Sequence, residues 1–241
     1  MTEVAKVEVG TDISLPDNVP AGAWGAENTS QRDTIIPRLH LMQDLSKAVK
    51  GRTANVGDIV HSATGQTVGG VGKPVEIIPI YCYNDWIISH GMPGGKKKFV
   101  NTIRMTPENE AWPYEEVVEG VLTYRQRRLN FFVIFPGQVG ELPALVSFKG
   151  MSTQAGRKLM THFQRCQSMN IPPASKIFQL SSNAQSKDEY NFFVYDVVVT
   201  YPTKPEDLAN AYQWYLKLSK ADVKVAADLD TASDADEGPA F

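Results

Sequence analysis

The sequence predicts a mainly β fold, a small β-barrel with about two added α-helices. Several segments rich in Tyr, Phe, Val and Ile have uneven lengths and are separated by turns that contain Gly or Pro. One segment with clear helical periodicity stands between them, and long loops connect the rest. This order of elements fits an OB-type barrel.

The composition predicts one folded domain with two extensions. A chain of 241 residues with 42% hydrophobic content can bury a sizeable core. Residues 1–34 are rich in Pro, Gly, Asn and Asp and predict a flexible N-terminal arm. The OB-like domain is predicted over 35–221, and a disordered acidic tail over 222–241.

The first half of the domain predicts a long hairpin. Short or extended elements are expected over 35–45 and 58–62. A strand over 75–83 continues to residue 89 and breaks at the Gly-rich segment 91–95. The chain resumes with three lysines at 96–98, so the hairpin tip is expected to be flexible and basic.

The second half predicts further strands around one helix. Residues 106–119 are acidic and contain two prolines, which favours a connecting loop or a short helix. Strands are predicted over 121–135, 144–149, 176–180 and 190–201, and a last helix over 205–220, with Pro205 in its first turn.

The clearest helix is predicted over 152–169, with Ser152 as its N-cap. Apolar residues recur at intervals of three and four and predict one packed face. The opposite face is polar and cationic. The packed face consists of Ala155, Leu159, Phe163 and Cys166, and the opposite face of Gln154, Arg157, Lys158, Thr161 and Arg165.

The charge distribution is uneven although the net charge is only -3. Residues 120–187 contain nine basic residues and one acid, Glu141, which gives this stretch a net charge of +8. Such a stretch is typical of an anion-binding surface. The alternative is that the charges are scattered and only keep the surface solvated. The basic residues are Arg125, Arg127, Arg128, Lys149, Arg157, Lys158, Arg165, Lys176 and Lys187.

Basic and aromatic residues alternate where the chain is expected to be extended, at 124–132 and around the hairpin tip. Single-stranded nucleic acid needs cations along its backbone and flat rings for its bases. In the alternative interpretation these rings form the core, as is expected for Phe131, Phe132 and Phe135. The candidate nucleic-acid-binding residues are Tyr83, Trp86, Lys96, Lys97, Lys98, Tyr124, Arg125, Arg127, Arg128, Lys149, Arg157, Lys158 and Arg165.

Catalytic and metal-binding motifs are not found. The sequence has no phosphate-binding loop, no nucleophile elbow and no metal-type spacing of its four histidines, so we expect no enzyme activity, cofactor or metal. His162 is expected to be structural, and Cys82 and Cys166 to be reduced core thiols. No apolar run is long enough to span a bilayer, which predicts a cytoplasmic protein without membrane contact.

The composition of the C-terminal tail predicts a binding role for it. Residues 225–241 contain five acids, no Lys or Arg, and a terminal Phe. A terminal aromatic ring can fill an apolar pocket while the acids contact basic residues. The tail is therefore expected to bind partner proteins or to compete for the chain's own basic surface. Its candidate binding residues are Asp234, Asp236, Glu237 and Phe241.

The acidic tail, the basic aromatic strands and the OB-type order together resemble a single-stranded DNA-binding protein of a tailed bacteriophage. Residues 36–39, 56–60 and 64–65 are similar to such proteins, as are 145–149 leading into the helix with Arg157 and Lys158. The resemblance implies an OB-fold core and cooperative coating of single strands during phage DNA replication and recombination. It also implies contact with replication proteins through the tail.

Three hypotheses follow. The first is sequence-tolerant binding of single-stranded DNA. The second is a replication- or transcription-accessory protein that acts through its tail. The third is a metal-dependent nuclease that uses the glutamates at 108–119. The sequence leaves open whether the protein is a homo-oligomer and whether it prefers DNA or RNA.

Overall fold

The computed structural model describes residues 35–187 and 190–220. The predicted arm, and the tail residues Asp234, Asp236, Glu237 and Phe241, lie outside the described residues. The described strands are β1 (Arg38–Leu41), β2 (Ile59–His61), β3 (Thr67–Gly69), β4 (Val75–Gly91), β5 (Lys97–Arg104), β6 (Glu115–Val118), β7 (Val121–Ile134), β8 (Ala144–Phe148), β9 (Lys176–Lys187) and β10 (Tyr190–Pro202). The described helices are α1 (Lys47–Lys50), α2 (Thr153–Ser168) and α3 (Pro205–Leu218).

Eight strands form a curled sheet in the order β10-β9-β4-β7-β8-β1-β2-β3. The pairing of β1 with β8 is parallel, and the other described pairings are antiparallel. The meander β4-β7-β8 is followed by α2 and then by the hairpin β9-β10. The prediction of a mainly β, barrel-like fold with added helices is confirmed.

Side chains join the two sides of the curl, at β1 and β10. The Tyr195 hydroxyl donates to the Leu39 carbonyl at 2.8 Å. The Gln43 side chain donates to the Phe193 carbonyl at 2.8 Å and accepts its N–H at 3.0 Å. These bonds hold β10 next to β1 although the two strands are not neighbours in the sheet.

The inner face of the curl forms the main core with α2. Phe131, Phe148 and Leu159 are fully buried there. A Cβ on Gly156 would lie 2.9 Å from the Phe148 Cβ, so glycine lets α2 approach the sheet closely.

Helix α3 covers the other face of the sheet at the same end of the long strands. Ala211 packs with Ile78, Ile80 and Ile134, and Leu218 packs with Phe132. Both faces of this half of the sheet are therefore occupied. Pro205 stands in the first turn of α3, as predicted.

Beyond this core, β4 and β7 continue as a four-stranded extension in the order β5-β4-β7-β6. The prediction of a loop or short helix over 106–119 was wrong for its last part, because Glu115–Val118 is a strand paired with β7. Glu119 and Gly120 join the two strands with φ of 50° and 80°. A two-residue turn with positive φ at both positions matches the twist of a hairpin, and the Glu-Gly pair between valines was its sequence signal.

The prediction of Ser152 as the N-cap of α2 is confirmed in position, but its side chain has a different partner. Ser152 occupies the N-cap position, but its side chain makes no bond to the helix. Its hydroxyl accepts the backbone N–H of Tyr195 at 3.1 Å instead. A short 3-10 turn over Gly150–Ser152 leads into the helix, so Ser152 ties α2 to β10.

Candidate nucleic-acid interface

One face of the four-stranded extension carries two clusters of cations and aromatic rings. Side chains alternate between faces along a strand, and Tyr83, Asp85 and Ser89 of β4 share one face. Ser89 lies opposite Tyr124 on β7 and opposite Phe99 on β5. We call this face the Tyr83 face. Trp86 lies on the other face.

The first cluster joins Arg104 to Tyr83. The guanidinium carbon of Arg104 lies 3.9 Å from the centroid of the Tyr83 ring, and Arg104 Nη2 donates to the Tyr81 hydroxyl at 3.4 Å. The other side of the cluster rests on Phe132, whose ring centroid is 5.9 Å from that of Tyr83. Burial, followed by the nearby charge of Asp85, raises the pKa of the Tyr83 phenol, so the ring stays neutral at physiological pH.

The second cluster is built on Lys97. Its Nζ lies 3.8 Å from the centroid of the Tyr124 ring and donates to the Tyr114 hydroxyl at 2.7 Å. The rings of Tyr114 and Tyr124 meet edge to face at 5.8 Å. Tyr114 is 50% exposed, which leaves part of this cluster open to solvent.

The two clusters are separated along β4 by six residue steps, from Tyr83 to Ser89. At about 3.4 Å per residue this is about 20 Å. An extended strand of a few nucleotides covers such a length, and binding sites on OB folds span about 4–16 nucleotides. The Tyr83 face therefore carries two groups of aromatic rings about 20 Å apart, each with a cation over one of its rings.

A groove of 590 Å³ lies beside the first cluster, between β1 and the start of β10. Its walls include basic and aromatic side chains, and hydrogen bonds connect its lining to Asn130. Asn130 lies opposite Tyr83, accepts from the Ser147 hydroxyl at 2.7 Å, and Ser147 in turn accepts from Arg38 at 3.0 Å. Among the lining residues are Arg38, Lys149, Tyr190 and Phe192.

Helix α2 adds a cationic surface, as predicted. Gln154, Arg157, Lys158, Thr161 and Arg165 are all exposed, and the apolar positions face the core. Lys158 donates to Asp196 at 2.7 Å, and this hydrogen bond lowers the pKa of the Asp196 carboxyl. The charge of Lys158 is therefore balanced locally, whereas no ion pair is described for Arg157 or Arg165.

Three of the candidate residues are buried, which corrects their proposed accessibility. Trp86 is only 7% exposed, and its indole N–H donates to the Asn109 carbonyl at 3.1 Å. Arg125 is paired with Glu116 at 2.6 Å and lies over the ring of Trp112. Both side chains are buried because the segment between β5 and β6 folds over this side of the sheet and contacts them through Asn109 and Trp112.

Arg128 is the third buried candidate. It is 3% exposed, and its guanidinium makes two bonds to Asp85, from Nε at 2.9 Å and from Nη2 at 2.8 Å. The pair holds β4 to β7 and does not present a cation to a ligand. The remaining basic candidates, Lys96, Lys98 and Arg127, are exposed.

Two members of the clusters, Arg104 and Tyr114, were missed from the sequence. Lys97 and Arg104 are seven residues apart, and an odd spacing places them on opposite faces of a regular strand. A register shift in β5 between Phe99 and Asn101 returns them to the same face. Tyr114 stood in a segment expected to be a loop, where strand alternation gave no signal.

Two of the residues considered for other chemistry, Glu108 and His162, have structural partners. Glu108 accepts from the Thr106 hydroxyl at 2.5 Å, and that bond lowers the pKa of its carboxyl. The His162 ring contacts the Pro173 carbonyl at 2.8 Å, in agreement with a structural role. Within residues 35–187 and 190–220, no three His, Cys, Asp or Glu side chains are grouped closely enough to hold a metal ion.

Both cysteines are unpaired thiols. Cys166 is buried and Cys82 is partly buried, and burial raises the pKa of Cys82 to about 11. No helix in the described part of the chain is long and apolar enough to cross a membrane.

Comparison with known proteins gives one finding. A family model described as Pam3 phage gp34-like protein matches residues 10–224, which is most of the chain. No curated protein and no solved structure matches. The match covers the whole curled sheet and all three helices. The chain is a phage-type protein and belongs to the Pam3 phage gp34-like family.

Proposed function

We propose that this phage protein binds single-stranded DNA without strong sequence preference, along the Tyr83 face. The observation that carries the proposal is the pair of cation–aromatic clusters, Arg104 with Tyr83 and Lys97 with Tyr124 and Tyr114. Rings provide stacking surfaces that every base can use, and cations beside them reach the phosphates.

The cations now cover the rings that a base would use. The Arg104 guanidinium lies over Tyr83, and Lys97 Nζ lies over Tyr124. Both side chains are long and can move to a phosphate when a base arrives, because each is held by contacts at or near the protein surface. Each ring–base stack is then worth about 1–3 kcal/mol.

The groove and α2 extend the proposed path. Lys149 lines the groove next to the first cluster, and Arg157 and Arg165 present further charge on α2. These residues carry no pattern that selects a base, so their proposed role is contact with phosphates. The proposed biological role is protection of single strands during phage replication and recombination in the host cytoplasm, without a catalytic step.

Titration of a labelled oligo-dT by fluorescence anisotropy tests the proposal. We expect binding at low salt that weakens steeply as salt rises, because bound cations release counterions from the DNA. Anisotropy is preferable to tryptophan quenching, since Trp86 is buried and bonded to Asn109. Duplex DNA of equal length is the control and should bind more weakly. No binding to oligo-dT at low salt would overturn the proposal.

The acidic tail has two proposed roles, recruitment of partner proteins and competition with DNA. The same titration on a chain that lacks residues 222–241 separates them. Tighter DNA binding without the tail supports competition, because the tail's acids and Phe241 then no longer occupy the basic surface. Unchanged affinity leaves recruitment as the role of the tail.

A further inference from the structure

The four-stranded extension ends in two edge strands of opposite charge. In the described part of the chain, β5 pairs only with β4, and β6 pairs only with β7. Segment 96–104 contains four basic residues and no acid, whereas 115–119 contains three glutamates and no base. An edge strand presents backbone donors and acceptors to any strand that comes beside it.

Both edges also expose apolar side chains. Val100 on β5 is 42% exposed, and Val117 and Val118 on β6 are 66% and 39% exposed. β-branched residues on an open edge favour pairing with another strand. The edges therefore combine backbone groups, apolar contacts and complementary charge.

The strand directions allow these two edges to meet. The pairings β5-β4, β4-β7 and β7-β6 are all antiparallel, so β5 and β6 run in opposite directions. A second copy placed beside the first in the same orientation brings its β5 next to β6 as an antiparallel neighbour. The strands of the second copy then continue the antiparallel order of the first, and its Tyr83 face lies on the same side of the joined sheet.

We propose that β6 of one copy pairs with β5 of the next, so that the chain assembles head to tail. Like charges oppose pairing of β5 with β5 and of β6 with β6, and thus disfavour a closed two-fold dimer. Each added copy leaves one free β5 and one free β6, so growth is open. The twist of the sheet turns such a row into a helical filament.

The assembly requires no nucleic acid and stands apart from the proposed DNA binding. If both hold, neighbouring copies align their Tyr83 faces along one strand. Each bound copy then raises the effective concentration of the next, and binding becomes cooperative.

Sedimentation velocity of the full chain in low salt without DNA tests the assembly. We expect the average mass to grow with protein concentration past that of a dimer. Two variants each reverse two charges on one edge, Lys96→Glu/Lys98→Glu and Glu115→Lys/Glu119→Lys. Glu116 is kept because it is paired with Arg125. The first variant takes segment 96–104 from a charge of +4 to 0, and the second takes 115–119 from -3 to +1. Each change removes the attraction between the two edges, so association should weaken about tenfold or more.

The control carries all four substitutions and keeps the net charge of the original chain. At the four substituted positions the two edges again carry opposite charges, so assembly should be stronger than in either double variant. The proposal is overturned by a monomer at every concentration, by a dimer that grows no further, or by reversed variants that assemble like the original. A monomer that assembles only after removal of residues 222–241 also overturns it, in favour of an edge occupied by the chain's own tail.

Discussion

Replacement of Arg128 by Met, with Asp85 unchanged, is expected to lower the free energy of unfolding by about 3–5 kcal/mol. Asp85 is 5% exposed and loses the two bonds from the guanidinium. An unpaired buried carboxylate is costly because the protein interior solvates it poorly. At about 2–4 °C per kcal/mol, the thermal midpoint should fall by about 6–20 °C.

The matched control is the double variant Asp85→Leu/Arg128→Met. Replacing a buried ion pair with apolar side chains of similar volume is often neutral or stabilising, so this variant should unfold close to the original chain. Calorimetry or urea denaturation measures both. If Arg128→Met unfolds like the original, the pair does not hold β4 to β7 as the structure indicates.

The double variant Lys97→Ala/Arg104→Ala is expected to lower the affinity for oligo-dT about 10- to 100-fold at low salt. It removes the cation from both clusters of the Tyr83 face and leaves the three tyrosine rings in place. For single strands the slope of log K against log salt should become less steep by about 1.4, since each lost phosphate contact contributes about 0.7. Anisotropy titrations at several salt concentrations give both values.

The matched control, Lys73→Ala/Lys204→Ala, removes the same charge from two exposed positions outside the clusters. It should bind nearly as well as the original chain. A second variant, Lys97→Arg/Arg104→Lys, keeps both charges and should keep the salt slope. If Lys97→Ala/Arg104→Ala and the control variant lost affinity for oligo-dT equally, only the net charge of the protein would matter for binding.

The strands and helices could largely be predicted because their signals are local. The break at 91–95, the apolar periodicity of α2 and the proline in the first turn of α3 each set a boundary from neighbouring residues. β6 was missed because its short sequence is acidic and wholly exposed, and its only signal was the Glu-Gly turn. The parallel pairing of β1 with β8 joins residues more than 100 positions apart, which no local pattern reveals.

The candidate site could be predicted only in part, because accessibility depends on distant partners. Tyr83, Lys97 and Tyr124 proved to share one face. Trp86 and Arg128 are of residue types that often bind nucleic acid. In the structure, however, Trp86 is hydrogen-bonded to Asn109 and Arg128 is paired with Asp85. Arg104 lies on the Tyr83 face because of a register shift in β5, and the alternation of side chains along a regular strand does not predict such a shift.

Photo-cross-linking of a 5-iodouracil oligonucleotide to the protein tests most directly whether DNA lies along the Tyr83 face. Ultraviolet light joins this base to aromatic side chains in contact with it, and mass spectrometry identifies the joined peptides. We expect cross-links at Tyr83, Tyr114 and Tyr124, and their loss when unlabelled oligo-dT is added in excess. Cross-links confined to other surfaces of the protein, with none on these three rings, would contradict the account.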